Sequence, residues 1–222
     1  MVSARRRHNR YQYETFDSCV DFFKEEIPQD VQQRLQQIVD VAGLTCEDAV
    51  LDVGTGIGAL IPYIQARGVR RVVGCDLSGA MLAEAEKCYP HVTFWCGDIV
   101  DFPLSFGHFD AIFFNAVFGN VWDQRDTLVR AIQLLSNRGR IIISHPMGSA
   151  FVSQLSREDP SLVPHTLPSM VRLTAMIDGL ELDLCHLQDE ASLYLCVLRL
   201  HPPGAAREAA IDREFGGANP AA

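Results

Sequence analysis

The stretch that decides the fold is Val50 to Leu60, VLDVGTGIGAL, in which an apolar run, an acidic residue and three glycines follow one another. The apolar residues at its start predict the end of a buried strand, and Ala59 onward predicts a helix. Gly54, Gly56 and Gly58 leave a turn without Cβ atoms, so a ligand can lie directly against the backbone. This arrangement is typical of a site for a nucleotide-like ligand.

The glycine spacing alone fits two ligand classes. Gly54-x-Gly56-x-x-Ala59 satisfies the dinucleotide fingerprint, and the acidic residue Asp76 follows about 20 positions later, as that fingerprint expects. A sulfonium nucleoside fits the same turn. The choice between the two ligands therefore depends on the residues that follow the other strands.

Strand and helix patterns alternate outward from this stretch. Apolar runs predict five strands, at Val50–Val53, Arg71–Asp76, Val92–Cys96, Phe109–Asn115 and Arg140–Ser144. Periodic apolar positions and capping residues predict helices over 30–42, 59–67, 78–88 and 123–135. Because strands alternate with helices, the sequence predicts an α/β fold with a parallel sheet.

The last third of the chain follows a different pattern. Ser136–Gly139 predicts a turn, 149–168 is the least regular stretch, and 169–178 predicts a helix. The apolar runs Leu180–Leu187 and Ser192–Leu200, separated by the polar turn Gln188-Asp189-Glu190, predict an antiparallel hairpin at one edge of the sheet. We divide the chain into an N-terminal tail and possible lid (1–28), one domain (29–201) and a flexible C-terminal tail (202–222).

Composition narrows the function classes. The chain has 222 residues and a formal net charge of -9, which disfavours nucleic acid as the main partner. The basic run Arg5-Arg6-Arg7 beside Arg10 is interpreted as a solvated, disordered tail. No apolar run reaches the roughly 18 residues of a membrane span, so no span is expected. We expect a cytoplasmic monomer or homodimer, or an organelle-matrix protein if the basic N-terminus is the remnant of a transit peptide.

Seven cysteines are scattered without a C-x-x-C pair, and their number is odd: Cys19, Cys46, Cys75, Cys88, Cys96, Cys185 and Cys196. This pattern disfavours both a disulfide framework and a zinc site, and we expect no metal. The cysteines are interpreted as reduced core residues. Cys75 and Cys96, which neighbour the predicted ligand site, are expected to be small apolar fillers.

Three carboxylates follow the predicted strands at the edge where ligands bind in open α/β sheets. Asp52 ends the first strand, Asp76 the second and Asp98 follows the third. Such a rim repels the pyrophosphate of a dinucleotide and suits a ligand that is positive at its sulfur and amino group. Asp76 is placed to accept two ribose hydroxyls, and Asp98 to accept from the exocyclic amine of adenine. The charges therefore favour S-adenosylmethionine.

Four successive motifs resemble, in order and spacing, those of the class I S-adenosylmethionine-dependent methyltransferases. They are VLDVGTGIGAL at 50–60, CDLSGAML at 75–82, CGDIVDFP at 96–103 and FDAIFFNAVFGNVWD at 109–123. The resemblance covers about 49–200, and it is closest to members that act on small molecules. It implies a Rossmann-like three-layer sandwich, with a mostly parallel seven-stranded sheet and an antiparallel C-terminal hairpin.

The resemblance also implies which residues bind the cofactor. The glycine loop Gly54 to Gly58, including Thr55 and Gly56, would face the methionine part together with Asp52, while Asp76 would hold the ribose. The remaining contacts would come from Leu77 and Met81 beside the adenine, Asp98 and Ile99 at the base, and the Asn115-Ala116 backbone at the amino group.

Some of these residues also have a structural interpretation. Aspartates after strands often cap helices or stabilise turns, which applies to Asp76 and Asp98. Met81 falls at helical spacing with Leu82 and Ala85, which is typical of a core residue.

The sequence indicates less clearly which residues contact the molecule that accepts the methyl group. His145 follows the fifth strand in SHPMG, and it is the candidate general base, with substrate orientation or a turn before Pro146 as alternatives. The candidate residues for contacts with the acceptor are Tyr11, Tyr13, Phe118, Trp122 and Asp123. Phe16 and Phe23, seven residues apart, are expected to pack on one side of a helix.

The combined prediction is an enzyme that moves a methyl group from S-adenosylmethionine to a small organic acceptor at oxygen or carbon. One alternative keeps the fold and takes RNA or protein as substrate. A second is a non-catalytic nucleoside-binding module that acts through a partner surface. The tetrapeptide Asn-Pro-Pro-Tyr, by which many members acting on amides or base nitrogens are known, is absent, because Asn115-Ala116-Val117-Phe118 stands there. An NAD-dependent oxidoreductase is the remaining alternative.

Overall fold

The computed structural model of the chain describes residues 3–201. Its helices are α1 (Ala4–Ser18), α2 (Val20–Phe23), α3 (Gln29–Val41), α4 (Ile61–Gln65), α5 (Gly79–Cys88), α6 (Gln124–Leu134), α7 (Gly148–Glu158) and α8 (Met170–Ile177). Its strands are β1 (Ala49–Val53), β2 (Arg71–Asp76), β3 (Thr93–Cys96), β4 (Phe109–Asn115), β5 (Leu135–His145), β6 (Leu182–Glu190) and β7 (Leu193–Leu200). Two short 3-10 turns, at Ile99–Asp101 and Leu104–Phe106, lie between β3 and β4.

The seven strands form one sheet in the order β3-β2-β1-β4-β5-β7-β6. The first five strands pair in parallel, and β7 is antiparallel to both β5 and β6. The predicted α/β fold, with its parallel sheet and C-terminal hairpin, is confirmed. Because the strand order reverses between β1 and β4, the carboxyl ends of these two strands border a crevice, which is where α/β sheets bind ligands.

Successive side chains of β1 and its neighbouring strands point to opposite faces of the sheet, and each face carries a buried core. Leu51 and Val53 point to one side, where they share a buried cluster with Leu128 of α6. Val50 points to the other side, into a second cluster that contains Leu35 of α3. Successive side chains of a strand point to opposite faces, so a strand that is covered on both sides is apolar throughout. The result is the predicted three-layer sandwich.

The turn predicted at Ser136–Gly139 is wrong, because these residues belong to β5. Leu135 pairs with Phe109 and Arg140 pairs with Ala111, so the intervening residues of β5 bulge opposite the single residue Asp110. The Ser136 hydroxyl donates to the Asp110 carboxylate at 2.6 Å. A bulge uses the same small and polar residues as a turn, and the composition alone therefore did not separate the two.

Three other boundaries differ from the sequence prediction. The irregular stretch predicted from 149 begins instead with the helix α7, whose Val152 is buried, and the prolines follow only after the helix ends. The helix predicted over 59–67 is only α4, five residues long. The hairpin turn lies after Glu190 rather than at 188–190, since β6 pairs with β7 through Glu190 and Leu193.

The arginine run expected in a disordered tail lies in α1. This helix begins with a cap in which the Ser3 hydroxyl accepts from the Arg6 amide at 3.2 Å. Arg10 pairs with Glu14 at 3.8 Å. The predicted C-terminal tail, 202–222, lies outside the described residues. Within 3–201 no helix is long and apolar enough to cross a membrane.

The cysteines are all free, but the core interpretation is correct only for Cys75 and Cys196. Cys19 is half-buried, and four others are exposed: Cys46, Cys88, Cys96 and Cys185. Cys96 is therefore not the apolar filler that was expected. No group of three or more histidine, cysteine or acidic side chains within 3–201 is arranged to hold a metal ion.

Candidate active site

A cavity of about 480 Å³ opens at the carboxyl ends of β1 and β4. One side is lined by the loops that follow the parallel strands, and the other side by α1, α2 and the segment Asn120–Trp122 after β4. Most of the predicted cofactor residues line it: Asp52, Gly54, Thr55, Gly56, Asp76, Leu77, Met81, Asp98, Ile99, Asn115 and Ala116. Gly58 is not among the lining residues.

Asp52 is a buried carboxylate beside the cavity, with 2% of its surface exposed. The Thr55 hydroxyl donates to it at 2.7 Å, and within 3–201 no lysine, arginine or histidine forms an ion pair with it. Burial raises its pKa to about 7, since the charged form is poorly solvated there. A buried carboxylate with one hydroxyl partner is suited to receive a cationic group from a ligand.

The glycine loop is held against β2 and leaves its middle open. The amides of Gly54 and Thr55 both donate to the carbonyl of Cys75, at 2.8 and 3.1 Å. A Cβ on Gly54 would lie 2.5 Å from the Val117 side chain, so a larger residue does not fit there. Gly56 has φ +55° and lines the cavity, and a Cβ there would meet no protein atom within 4 Å. The space above Gly56 therefore suits a ligand in backbone contact.

Gly58 has a different role from the other two glycines. Its φ is +92°, and an added Cβ would lie 2.6 Å from the ring of Tyr89. The glycine is thus required by packing against the end of α5, away from the cavity.

Asp76 holds two loops together at the rim. Its Oδ2 accepts from the Gly56 amide at 2.8 Å, and its Oδ1 accepts from the Ser78 amide at 2.9 Å. Burial raises its pKa, while these amide bonds oppose the shift. A carboxylate has about four acceptor sites, so two backbone bonds leave capacity for a ligand. Asp76 therefore stabilises the turns around it, whereas Ser78 caps α5, and this turn role is compatible with ligand binding.

Met81 and Leu77 line the cavity next to Asp76. Met81 is 2% exposed, and its amide donates to the Ser78 hydroxyl, which caps α5, at 3.0 Å. Its core interpretation is therefore correct, and the same side chain also forms part of the cavity wall.

Side chains of α1 bind the Asp98 carboxylate. Its Oδ1 accepts from the Val100 amide at 3.1 Å, and its Oδ2 accepts from Asn9 at 2.8 Å. Arg5 lies 3.3 Å from Oδ2 and also pairs with Asp101. The rim is accordingly less negative than three free carboxylates would make it. The exocyclic amine of an adenine that binds at Asp98 has to share this carboxylate with Asn9 or displace the Asn9 side chain.

Ala116 has a strained backbone at the end of β4. Its φ is +57°, and it is the only non-glycine residue within 3–201 with a positive φ. Its amide donates to the Ser144 carbonyl at 2.8 Å, and the Ser144 hydroxyl donates to the Asn115 side chain at 3.0 Å. Strain of this kind clusters at functional sites and costs about 1–3 kcal/mol. Only carbonyl oxygens of this segment are suited to an amino group, because an amide N–H cannot accept.

His145 lies outside the cavity. It is 8% exposed, its Nδ1 accepts from the Met147 amide at 3.1 Å, and its ring lies 5.4 Å from that of Phe151. Burial lowers its pKa to about 4. The turn interpretation describes these contacts.

The predicted acceptor residues are not brought together. Tyr11 and Tyr13 are exposed and do not line the cavity, and the Tyr11 hydroxyl donates to Asp159 at 2.8 Å. Phe118 is fully buried against Phe114, with the ring centroids 5.7 Å apart. Trp122 lines the cavity.

Asp123 caps α6 instead of facing the cavity, since its Oδ1 accepts from the Asp126 amide at 2.9 Å. We expect Asp123→Ala to lower the free energy of unfolding by about 1 kcal/mol, the usual cost of losing an N-cap. Urea denaturation measures this loss, and Asp123→Asn, which keeps a capping oxygen, is the control. Weaker cofactor binding without a loss of stability would contradict the capping role.

The N-terminal segment, expected as a possible lid, lines the cavity through residues of α1 and α2 other than the predicted Tyr11 and Tyr13. His8, Gln12 and Asn120 line it together, as do Phe22 and Phe23. Phe16 and Phe23 do meet, at 6.1 Å between ring centroids, but on two helices, and Phe23 remains 39% exposed. The spacing of His8 and Gln12 on one helical face was the available signal, and the arginine-rich composition around them concealed it.

Residues 51–143 match a protein family described as a methyltransferase domain. This segment runs from β1 into β5 and includes the glycine loop and all three rim carboxylates. The segment is therefore a methyltransferase domain, and its motifs and fold are similar to those of the class I S-adenosylmethionine-dependent methyltransferases. The cofactor of this family is S-adenosylmethionine, and the open glycine loop and the unpaired Asp52 fit it.

Two curated relatives of the domain act on different kinds of substrate. A demethylmenaquinone methyltransferase of Beutenbergia cavernae is 29% identical over 106 residues, which are 48% of this chain and 44% of that protein. The ribosomal RNA small subunit methyltransferase A of Leuconostoc citreum is 45% identical over 58 residues, 26% of this chain and 19% of that protein. The chain spans less than half the length of these curated relatives.

Solved methyltransferase structures share the fold of the domain. Magnesium protoporphyrin IX methyltransferase of Synechocystis PCC 6803, crystallised with S-adenosylmethionine, has a TM-score of 0.63 and 18% identity, covering 90% of this chain and 98% of that one. A methyltransferase in complex with the Trm112 activator of Haloferax volcanii has a TM-score of 0.67 and 18% identity, covering 84% and 97%. At this level of identity the likeness concerns the fold alone.

Proposed function

We propose that the chain transfers a methyl group from S-adenosylmethionine to a small organic acceptor, at oxygen or carbon. One observation carries the proposal. A single cavity of about 480 Å³ joins the carboxylate rim of the methyltransferase domain to an aromatic wall supplied by α1, α2 and Trp122. Sites for small molecules usually have about 300–1,000 Å³, and this cavity falls within that range.

Each rim residue would bind a different part of the cofactor. The unpaired carboxylate of Asp52 would receive the amino group of the methionine part, and the open backbone at Gly56 would lie against it. Asp76, with acceptor capacity left beyond its two amide bonds, would hold the ribose hydroxyls. Asp98 and Ile99 would border the base. The bound cofactor supplies an electrophilic methyl group, and the protein contributes orientation and exclusion of water.

An RNA substrate is the principal alternative, and the ribosomal RNA relative supports it. Three features of this chain oppose it. Its net charge of -9 repels a phosphate backbone, and two arginines of the basic run, Arg5 and Arg10, are paired with acidic side chains. Glu25 and Glu26 also line the acceptor side of the cavity and add negative charge there.

Two measurements test the proposal. Isothermal titration calorimetry is expected to detect binding of S-adenosylhomocysteine and none of NAD, and failure to bind either would refute the proposed function. Incubation with a radiolabelled methyl donor is expected to label components of a metabolite extract and not total RNA. Labelling of RNA alone would favour the RNA alternative, and labelling of neither, with intact cofactor binding, would favour a non-catalytic module.

A further inference from the structure

One imidazole stands on the acceptor side of the cavity. His8 of α1 is 9% exposed and lines the cavity with Trp122, and the two ring centroids lie 5.6 Å apart. It is the only histidine among the described lining residues. His145, the histidine singled out by the sequence, is not among them.

The contacts of His8 determine which nitrogen is available. Its Nε2 lies 2.8 Å from the carbonyl oxygen of Asn120. A carbonyl oxygen only accepts, so Nε2 carries the proton and the neutral ring has its lone pair on Nδ1. Within 3–201 no group hydrogen-bonds to Nδ1. This nitrogen therefore keeps an unused lone pair on a residue that lines the cavity.

The carbonyl that orients His8 is itself fixed. The Asn120 side chain donates to the Leu162 carbonyl at 3.0 Å, and Gln12, 2% exposed, donates to the same oxygen at 2.6 Å. The backbone of Asn120 also donates to the Val117 carbonyl at 2.8 Å. A base needs a defined orientation, and this network supplies it through Nε2 while leaving Nδ1 unused.

The walls around His8 indicate what kind of molecule it would face. Phe16, Phe22, Phe23 and Trp122 line this side, and Phe22 remains 69% exposed although it is a large apolar side chain. Aromatic side chains favour offset or edge contacts with another flat ring. Glu25 and Glu26 also line the cavity, and their negative charge disfavours an acceptor that carries phosphate or carboxylate.

We propose that the acceptor is a hydroxylated aromatic ring and that His8 is the base that takes its hydroxyl proton. This inference rests on the proposed function. The proton of the acceptor hydroxyl passes to Nδ1 of His8. The acceptor oxygen uses its electron pair to form a bond to the methyl carbon, while the methyl–sulfur bond breaks and its pair stays on sulfur. The positive charge thereby moves from the sulfonium to the imidazolium.

The test uses two acceptors that differ in their need for a base. Phenol, with a pKa of about 10 like that of a tyrosine side chain, needs one, whereas 4-nitrophenol is already ionised in mildly alkaline buffer. In His8→Gln the amide nitrogen can still donate to Asn120, but no base remains. We expect the variant to lose about 100-fold or more in kcat/KM on phenol, as is typical for loss of a general base, and much less on 4-nitrophenol.

A control and the contradicting outcomes separate the two proposals. His165→Gln removes another histidine that contacts a backbone carbonyl, that of Trp122 at 3.0 Å, outside the cavity, and should leave the ratio of the two activities unchanged. Equal losses on both phenols in His8→Gln would overturn His8 as a base. Tight binding of S-adenosylhomocysteine without transfer to any phenol would overturn the acceptor class alone. Absence of cofactor binding would instead refute the proposed function.

Discussion

Asp76→Ala is expected to weaken binding of S-adenosylhomocysteine by about 1–3 kcal/mol, the usual cost of losing a charge-assisted hydrogen-bonded pair. The carboxylate lines the cavity and already joins Gly56 to Ser78 through two amide bonds. Its removal takes away the proposed ribose acceptor and leaves two amides without their partner. Calorimetric titration of the variant measures the loss, and an unchanged affinity would refute the ribose assignment.

A ligand without the 2′-hydroxyl separates ribose binding from loop support. If Asp76 binds the ribose, wild type should lose affinity for the deoxy analogue, and the variant should bind both ligands with similar weakness. If Asp76 only supports the loops, the variant should bind both ligands more weakly by the same factor. Glu86→Ala, an exposed acid on α5, is the matched control and should leave both affinities unchanged.

The sheet was predictable because its signals are local. Most of the parallel strands contain a short apolar run with a polar residue at or near the carboxyl end, as at Asp76 and Asn115. Phe109–Asn115 has the bounds that the sequence predicted. The carboxylates at strand ends follow from the same pattern, because the carboxyl ends of parallel strands meet at one edge. The family resemblance covers this same part of the chain.

A lid over 1–28 was expected, but the side chains with which it lines the cavity were not predictable, because their contacts are distant in sequence. Asn9 binds Asp98 across 89 positions, and Gln12 binds Leu162 across 150. Nothing in the local composition of α1 signals these partners, and a helix with few buried apolar residues resembles a solvated tail. The histidine at the cavity was overlooked for this reason.

His145 shows the opposite error, in which a suitable residue type ends a strand but does not line the cavity. It pairs with Tyr194 of β7, and its ring packs beside Phe151 of α7. The direction of a side chain at a strand end depends on register and on neighbouring elements, which residue type alone does not specify.

Asp52→Asn is expected to make the ligand-free protein more stable above pH 7. The pKa of the carboxyl is raised to about 7 in the folded protein, from an ordinary value of 3.8. The folded state therefore keeps a proton that the unfolded state releases, so stability falls as pH rises from about 4 to about 7. Each pKa unit corresponds to about 1.4 kcal/mol, so above pH 7 the raised pKa lowers the free energy of unfolding by roughly 4 kcal/mol. Asparagine removes this part of the pH dependence.

Urea denaturation of wild type and variant at pH 5 and pH 8 measures this difference. The variant should gain stability relative to wild type between the two conditions. Asp178→Asn, an exposed residue after α8, should show no such gain. A constant difference between wild type and Asp52→Asn at both pH values would contradict a raised pKa at Asp52.

The same substitution should weaken cofactor binding, because the ionised carboxylate is the proposed partner of the amino group. Affinity of wild type for S-adenosylhomocysteine should rise with pH until Asp52 is ionised, near pH 7. In Asp52→Asn that rise should disappear, with a loss of about 1.5–3 kcal/mol at pH 8, the usual value of a hydrogen bond to a charged group. 5′-Methylthioadenosine keeps the adenine amine but lacks the α-amino group of the methionine part, so both proteins should bind it equally. An equal loss for both ligands would place Asp52 in loop support. If the variant instead gains stability and loses affinity only for S-adenosylhomocysteine, the fold tolerates a buried charge because the cofactor neutralises it.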